Sequence, residues 1–275
     1  MYLKVKEVNS FLDIKDLNEP ILVKSGCSDM TAVKKWNLNY LLETIGDQEF
    51  KFEKYKKKKD MQIMKVEGCS MRLSFSEFIK KSYEGKSPHF YFADKDLDEY
   101  KDKLPDSILE DISGKVDILF GEPEQNNIFL GVNCMTGCHI HILEDFILNQ
   151  IVGDKIVYLF DYNENYVTSR NILTNSFNFC KENFFKMDHS GKKIYKVVVK
   201  PGDSLCIPPW WWHATKGVDF SCSITKIIYR KNNDFLKSSY YLTVLAWRVR
   251  LAKIVILIYY SLINLFEYLL SGNLV

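Results

Sequence analysis

Two stretches of the chain, residues 128–159 and 201–229, have the residue pattern of β-strands separated by turns. In the first, apolar residues alternate at positions 128, 130 and 132, and apolar residues dominate again from 151 to 159. In the second, Pro201-Gly-Asp203 is typical of a tight turn. A strand follows over Leu205–Ile207, and Pro208-Pro209 ends it because proline cannot donate to a strand ladder. These patterns predict that strands dominate this part of the chain.

Three of the five histidines lie in these two stretches. Residues i and i+2 of a strand point to one face, so His139 and His141 should project side by side while Cys138 and Ile140 turn away. His213 opens a further predicted strand that runs over 220–229. Two imidazoles from one strand and a third from a distant one suit a metal site with open coordination positions. A His-x-His pair also arises by chance, and the spacing alone leaves both interpretations open.

Six segments, in order along the chain, carry a resemblance to a known family: 20–26, 32–41, 71–78, 90–92, 147–155 and 201–213. The most specific are Ile147-Leu-Asn-Gln-Ile-Val-Gly-Asp-Lys155 and the stretch from Pro201 to His213. From about Pro20 to Tyr229 the chain resembles the JmjC or cupin-like Fe(II)/2-oxoglutarate oxygenases. The likeness is greatest to their protein-hydroxylase branch, which includes the asparaginyl hydroxylase acting on hypoxia-inducible factor.

The resemblance implies a mainly β fold with flanking helices, a double-stranded β-helix or jelly-roll barrel. Residues 1–232 would form this barrel domain, with α/β elements at the amino-terminal end. The cofactors implied are Fe(II) and, as cosubstrate, 2-oxoglutarate. By position, His139 and His213 match metal ligands, and Thr225 or Lys226 stands where the family has an asparagine. The residues that would hold 2-oxoglutarate are Tyr91, Thr136, Lys155 and Thr225, and no catalytic residue is implied beyond the metal ligands.

The chain departs from the family at the second metal ligand, where His141 replaces an aspartate or glutamate. The interval from His139 to Gln150 is also one residue longer than expected, which calls for a bulge or a local realignment. Glu144 or Asp145 could reach the metal through such a bulge. A site of three histidines leaves the full charge of a divalent ion unbalanced, and it also suits zinc. The sequence therefore supports a metal site more firmly than it supports turnover.

Composition narrows the cellular setting and the partners. A net charge of +2 over 275 residues gives no specific signal for nucleic-acid binding. The seven cysteines show no CxxC pair, and no apolar run follows Met1. We therefore expect reduced thiols in the cytoplasm. A protein or peptide substrate is expected from the resemblance.

Residues 233–275 form a predicted hydrophobic carboxy-terminal helical tail, apolar almost throughout 242–270. Its uncharged centre, Ile254 to Phe266, has thirteen residues, fewer than the roughly 17–25 that span a bilayer. Apolar residues lie on every side of the predicted helix, which is atypical of an amphipathic surface helix. Two interpretations stay open: a transmembrane tail anchor, or helices that pair in a homodimer.

Three functional hypotheses follow. The first is an Fe(II)/2-oxoglutarate oxygenase that hydroxylates a protein side chain, with His139, His141 and His213 on the metal. The second is a catalytically inactive barrel that serves as a binding or scaffold module, which the histidine at 141 favours. The third is a three-histidine cupin metalloenzyme that does not use 2-oxoglutarate. Lys155, Thr136 and Tyr91 speak against this third hypothesis, because together they suit an acid ligand.

Overall fold

The computed structural model describes residues 2–64, 70–87, 89–112, 125–141, 144–164, 166–167 and 179–229, together with residues 258, 259, 261, 262 and 265. The chain divides into two compact units, Met1–Tyr229 and Arg230–Val275. The described part of the first unit is mainly β with a few short helices, as the sequence predicts.

The strands and helices follow one another in a fixed chain order. They are β1 (Lys6–Val8), β2 (Ile21–Val23), α1 (Thr31–Lys35), α2 (Leu38–Ile45), β3 (Glu49–Tyr55), α3 (Lys58–Met61), β4 (Met71–Ser74), α4 (Phe75–Glu84), β5 (His89–Asp96), α5 (Asp106–Asp111), β6 (Gln125–Val132), β7 (Met135–His139), β8 (Glu144–Val152), β9 (Lys155–Asp161), β10 (Tyr195–Val199), β11 (Ser204–Ile207), β12 (Trp211–Gly217) and β13 (Phe220–Tyr229).

These strands form two sheets. The large sheet has nine strands in the order β1-β2-β11-β8-β13-β6-β5-β3-β4, and the small sheet has four in the order β10-β9-β12-β7. Only β1 and β2 pair in parallel among the described strands. Apolar side chains from both sheets share one buried cluster, which includes Phe146 and Leu148 of the large sheet and Val157 and Leu159 of the small one. The two sheets therefore pack face to face, as in a cupin-like fold.

Helices cover the outer side of the large sheet. The sequence around α4 explains where this helix begins and ends. The Ser74 hydroxyl accepts a hydrogen bond from the Glu77 backbone N–H, and the Glu77 carboxylate accepts one from the Ser74 N–H, which makes a capping box. Gly85 ends the helix with a φ of 65°, a conformation that glycine adopts without strain. Phe75, Phe78 and Ile79 of α4 are buried against the sheet side of the molecule.

One local prediction was wrong in detail. The sequence suggested that His213 opens the strand 220–229, whereas it lies inside a separate strand, β12, that begins at Trp211. Pro208 and Pro209 end β11 as expected, and the chain regains a ladder three residues after Pro208. This strand belongs to the small sheet, so His213 faces β7 rather than the strands around β13.

The predicted carboxy-terminal tail lies almost wholly outside the described residues. Short helical pieces are present at residues 258–259, 261–262 and 265. Among the residues that the structure describes, no helix is long and apolar enough to cross a membrane. The tail anchor and the dimer helices both remain predictions.

Candidate metal centre

Three histidine side chains converge at one end of the small sheet. His139 is the last residue of β7, His213 is the third residue of β12, and the two are directly paired across the antiparallel ladder. His141 follows β7 by two residues. One nitrogen atom from each ring lies within 4.8 Å of the others. The ring centroid of His139 is 4.1 Å from that of His213 and 5.0 Å from that of His141.

A β-bulge in β7 brings Thr136 to the same face as His139. His213 pairs with His139 and Thr215 pairs with Thr136, so three steps on β7 oppose two on β12. Without the extra residue, positions 136 and 139 would point to opposite faces. The sequence called for an irregularity between His139 and Gln150. The bulge lies before His139 instead, since it is the pairing with β12 that fixes it.

The outer nitrogen of each ring is held by a hydrogen-bond acceptor. The Nδ1 atoms lie 2.9 Å from the Gly137 carbonyl oxygen for His139, 3.1 Å from the Trp211 carbonyl oxygen for His213, and 2.8 Å from Glu144 Oε2 for His141. Carbonyl and carboxylate oxygens only accept, so each Nδ1 carries the proton in a neutral ring. Each Nε2 then presents a lone pair, and Nε2 of His141 is buried without a hydrogen-bond partner. This is how metal-binding histidines are held in proteins.

Burial keeps the three rings neutral. It lowers the pKa of His139, and it lowers the pKa of His141 and His213 well below the ordinary value. The neighbouring imidazoles lower the pKa of His141 and His213 further, because charges on adjacent rings would repel. Neutral imidazoles are the form that binds a metal. Three convergent neutral nitrogens and a buried unpartnered Nε2 fit a divalent transition metal ion.

Glu144 and Asp145 occupy different places, although they are neighbours in β8. Glu144 bonds to the outer nitrogen of His141 and is not one of the three groups whose atoms converge. Asp145 points to the other face of β8, where its charge raises the pKa of the buried Cys206 thiol. The geometry therefore gives Glu144 the position of a carboxylate that orients a ligand histidine.

We expect Glu144→Gln to weaken binding of Co²⁺ or Zn²⁺ by 10- to 100-fold, roughly the loss seen when such an orienting carboxylate is removed. A neutral amide accepts a weaker hydrogen bond and leaves His141 less basic. Titration against a competing chelator measures the change. Glu49→Gln on the exposed side of β3 is the matched control and should bind the metal normally. Unchanged affinity in the Glu144 variant would contradict this role.

A second constellation lies deeper between the sheets. Lys155 is 3% exposed, Tyr91 3% and Thr136 4%. The Tyr91 hydroxyl is 3.5 Å from Thr136 Oγ1, and Lys155 Nζ stands 5.5 Å above the Phe129 ring. Burial lowers the pKa of Lys155 to about 8, and the structure places no carboxylate in ion-pair contact with it among the described residues. A buried ammonium beside two hydroxyls is an arrangement suited to an anionic ligand.

Thr225 lies on β13 and is 1% exposed. It pairs with Leu148 of β8 and with Asn127 of β6, so it shares the interior face with Leu148. Lys226, the alternative position, alternates to the opposite face. Of the two positions predicted from the resemblance, Thr225 is therefore the one that faces the space between the sheets.

Sequence reasoning missed Asp94 and Asn127. Asp94 lies where β5 is irregular, with a φ of 53° that is rare for a residue other than glycine. Asn127 Nδ2 donates to Asp94 Oδ1 at 2.7 Å, and the Asp94 charge acts to raise the pKa of His139. Their proximity to the histidines depends on the pairing of β5 with β6, for which the sequence carried no signal.

The fold and the site can now be compared with known proteins. A family model described as a cupin-like domain matches residues 9–235. The chain therefore belongs to the cupin-like, JmjC-type proteins, which confirms the family resemblance drawn from the sequence.

Two relatives are similar along most of this chain. Lysine-specific demethylase JMJ30 of Arabidopsis thaliana is 25% identical over 217 residues, which are 75% of this chain and 49% of the relative. The tRNA wybutosine-synthesizing protein 5 of Danio rerio is 25% identical over 218 residues, which are 70% of this chain and 64% of the relative. The chain thus spans about half of one relative and just under two thirds of the other.

Proposed function

We propose that this protein is an Fe(II)- and 2-oxoglutarate-dependent oxygenase that hydroxylates a protein side chain, built on a double-stranded β-helix. One observation carries the proposal: the three histidines and the buried Lys155 face the same space between the two sheets. Neutral imidazoles suit a divalent metal ion. A buried ammonium without an acidic neighbour suits the carboxylate of a ligand.

The strand register supports a short dicarboxylic acid as that ligand. Leu159 pairs with His213, Val157 pairs with Thr215, and Lys155 lies two residues further along β9. The α-carbons of Leu159 and Lys155 are therefore about 13 Å apart along the strand, at about 3.3 Å per residue. Thr136 lies at the intermediate level, because it pairs with Thr215. An acid held by the metal at one end and by Lys155 at the other would pass the hydroxyls of Thr136 and Tyr91.

When bound, iron(II) and 2-oxoglutarate together supply the oxidant that converts a substrate C–H bond into C–OH. The chain supplies binding and orientation. His139, His141 and His213 would hold the metal through rings whose orientation is fixed by their Nδ1–H bonds. Lys155 would neutralise the far carboxylate of the acid, helped by Thr136 and Tyr91. The apolar cluster that includes Val157 and Leu159 excludes water around them.

His141 makes an inactive binding module the second candidate. A carboxylate at this position would reduce the net charge of a divalent site to +1, whereas three neutral histidines leave it at +2, and such a site also suits zinc. The third candidate, a metalloenzyme without 2-oxoglutarate, leaves the buried charge of Lys155 without a counterpart. We therefore rank it last.

The substrate, location and tail remain proposals. One relative is named for acting on lysine and the other for modifying tRNA. We propose a protein or peptide substrate, because net charge gives no signal for nucleic acid. A reducing cytoplasmic setting suits the six described cysteines, all buried and none in a disulfide. Residues 233–275 are proposed as a tail that anchors the protein to a membrane or pairs two copies.

The test is 2-oxoglutarate decarboxylation by the full chain with Fe(II), measured as succinate formed, beside His141→Asp and the matched control His89→Ala. Slow turnover without the primary substrate is enough for the assay. We expect activity in the native chain and in the His89 variant. A silent native chain with activity in His141→Asp would favour the inactive binding module. Zinc binding with no 2-oxoglutarate binding in any variant would favour the third candidate.

A further inference from the structure

Cys138 and Cys180 lie side by side in the apolar layer on the outer face of the small sheet. Cys138 belongs to β7 and turns away from the histidines, as the strand alternation predicted. Cys180 belongs to the segment 179–187, which crosses that outer face. Both side chains are buried, at 3% and 2% exposure, and both pack in one cluster with Phe160, Phe184 and Trp212. This cluster lies on the far side of the sheet from the proposed metal.

The backbone places the two residues directly opposite each other. His139 and Phe179 form an antiparallel bridge, and the Cys180 N–H donates to the Cys138 carbonyl oxygen at 2.9 Å. Residues opposite each other in such a pair have α-carbons about 4.5 to 5.5 Å apart and side chains on one face. Disulfides join α-carbons roughly 4.4 to 6.8 Å apart. The positions therefore satisfy the geometric requirement for a cross-link.

The thiols themselves are in contact. The Cys138 and Cys180 side chains are within hydrogen-bond reach of each other, and the Cys180 thiol donates to Glu182 Oε2 at 3.1 Å. Other described cysteines have different partners. Cys27 and Cys134, for example, donate to backbone carbonyl oxygens. The pairing of two thiols distinguishes Cys138 and Cys180 from these.

We propose that Cys138 and Cys180 are a disulfide-forming pair that reacts with low-molecular-weight disulfides and cross-links β7 to the segment 179–187. One thiol loses its proton and attacks the small disulfide, which releases one small thiol and leaves a mixed disulfide. The second cysteine then attacks the protein sulfur, forms the Cys138–Cys180 bond and releases the second small thiol. Two protein thiols are oxidised and one small disulfide is reduced to two thiols, so electrons and protons balance.

Burial determines how readily the reaction proceeds. A thiol out of contact with solvent exchanges slowly, so the small disulfide must reach the pair during local opening of the segment 179–187. Once formed, the bond would close a loop of about 40 residues and restrict the unfolded chain. It would also fix the end of β7, where His139 follows Cys138. We therefore expect the oxidised protein to melt at least about 5 °C higher than the reduced protein.

The experiment incubates the full reduced chain with oxidised glutathione in urea concentrations below its unfolding transition. Remaining thiols are alkylated, the protein is digested, and linked peptides are sequenced by mass spectrometry. Fragment ions separate Cys138 from Cys134, which lies on the same tryptic peptide. We expect a Cys138–Cys180 link in the native chain that dithiothreitol reverses. The link should persist in Cys206→Ser and be lost in Cys180→Ser, and Cys180→Ala replaces that variant if it fails to fold.

The proposal is overturned if Cys138 is alkylated after oxidation in the native chain, or if it is linked to a different cysteine. It is also overturned if the link forms only above the unfolding transition. Peptide mapping on the native chain answers this without relying on any variant. None of these outcomes bears on metal or 2-oxoglutarate binding, so the proposed function is tested separately.

Discussion

Lys155→Met is expected to abolish 2-oxoglutarate binding and, at the same time, to stabilise the ligand-free protein. The methionine keeps most of the apolar stem and removes only the buried charge. Burial lowers the pKa of Lys155 from 10.5 to about 8, a shift equivalent to about 3 kcal/mol of lost folding stability at neutral pH. Without that charge, Tm should rise by about 5 °C or more. Affinity for 2-oxoglutarate should fall at least about 100-fold, because the far carboxylate loses its counter-charge.

The sign of the pH dependence gives an independent check. The folded-state pKa of Lys155 is depressed, so between about pH 8 and 10.5 the unfolded chain holds a proton that the folded chain has released. Stability therefore rises with pH through this range, and the destabilisation by Lys155 is complete below it. The Tm difference between native and Lys155→Met should narrow as pH is raised above 8. The exposed Lys193→Met is the matched control and should change neither binding nor Tm.

A Lys155→Met protein that melts lower than the native protein would mean that the lysine is stabilised by a partner in the free protein. A variant that still binds 2-oxoglutarate normally would remove Lys155 from the proposed ligand site. Calorimetric titration of 2-oxoglutarate and thermal melts of the same samples separate these two outcomes. The pairing of lost binding with gained stability is the result that a purely structural lysine would not give.

His213→Ala is expected to weaken binding of Co²⁺ or Zn²⁺ by at least about 100-fold and to abolish decarboxylation. His213 is buried, and it is the residue that joins β12 to the pair on the β7 side. Two remaining imidazoles leave the metal too few protein ligands for a stable site. Metal affinity is measured by chelator competition, with the visible spectrum of bound Co²⁺ as a second readout of ligand geometry.

Loss of a buried side chain can also lower stability, so the melting temperature of the metal-free variant is measured first. His189→Ala is a matched control, since His189 contacts Tyr166 and lies outside the three-histidine group. It should keep native metal affinity. Native affinity in His213→Ala would show that the metal is held elsewhere, and the proposed centre would be wrong.

Parts of the fold and of the candidate site follow from local sequence signals. Alternation at positions 128–132, the turn at Pro201-Gly-Asp203 and the stop at Pro208-Pro209 each depend on residues adjacent in the chain, and the structure contains strands and breaks at these places. Alternation also predicted that Cys138 and Ile140 turn away from His139, and both lie in the outer cluster. These features could be predicted because strand geometry has a period of two residues.

Other features depend on which strands become neighbours. The separate strand that carries His213, and the bulge that turns Thr136 toward the interior, are fixed by the register between β7 and β12. The bond of Glu144 to His141, instead of direct participation in the three-nitrogen group, depends on where the chain enters β8. Asp94 and Cys180 come close to His139 and Cys138 only through contacts between residues distant in sequence.

The sequence by itself thus determined the family, the predominance of strands and the set of residues worth examining. The tertiary structure decided which atoms meet: three Nε2 lone pairs with their outer nitrogens occupied, a buried lysine without an acidic partner, and two opposed thiols. The physical reason is that side-chain alternation is local, whereas the level at which two strands pair is set by packing across the whole core. A shift of one residue in that pairing would move each of these groups to the opposite face.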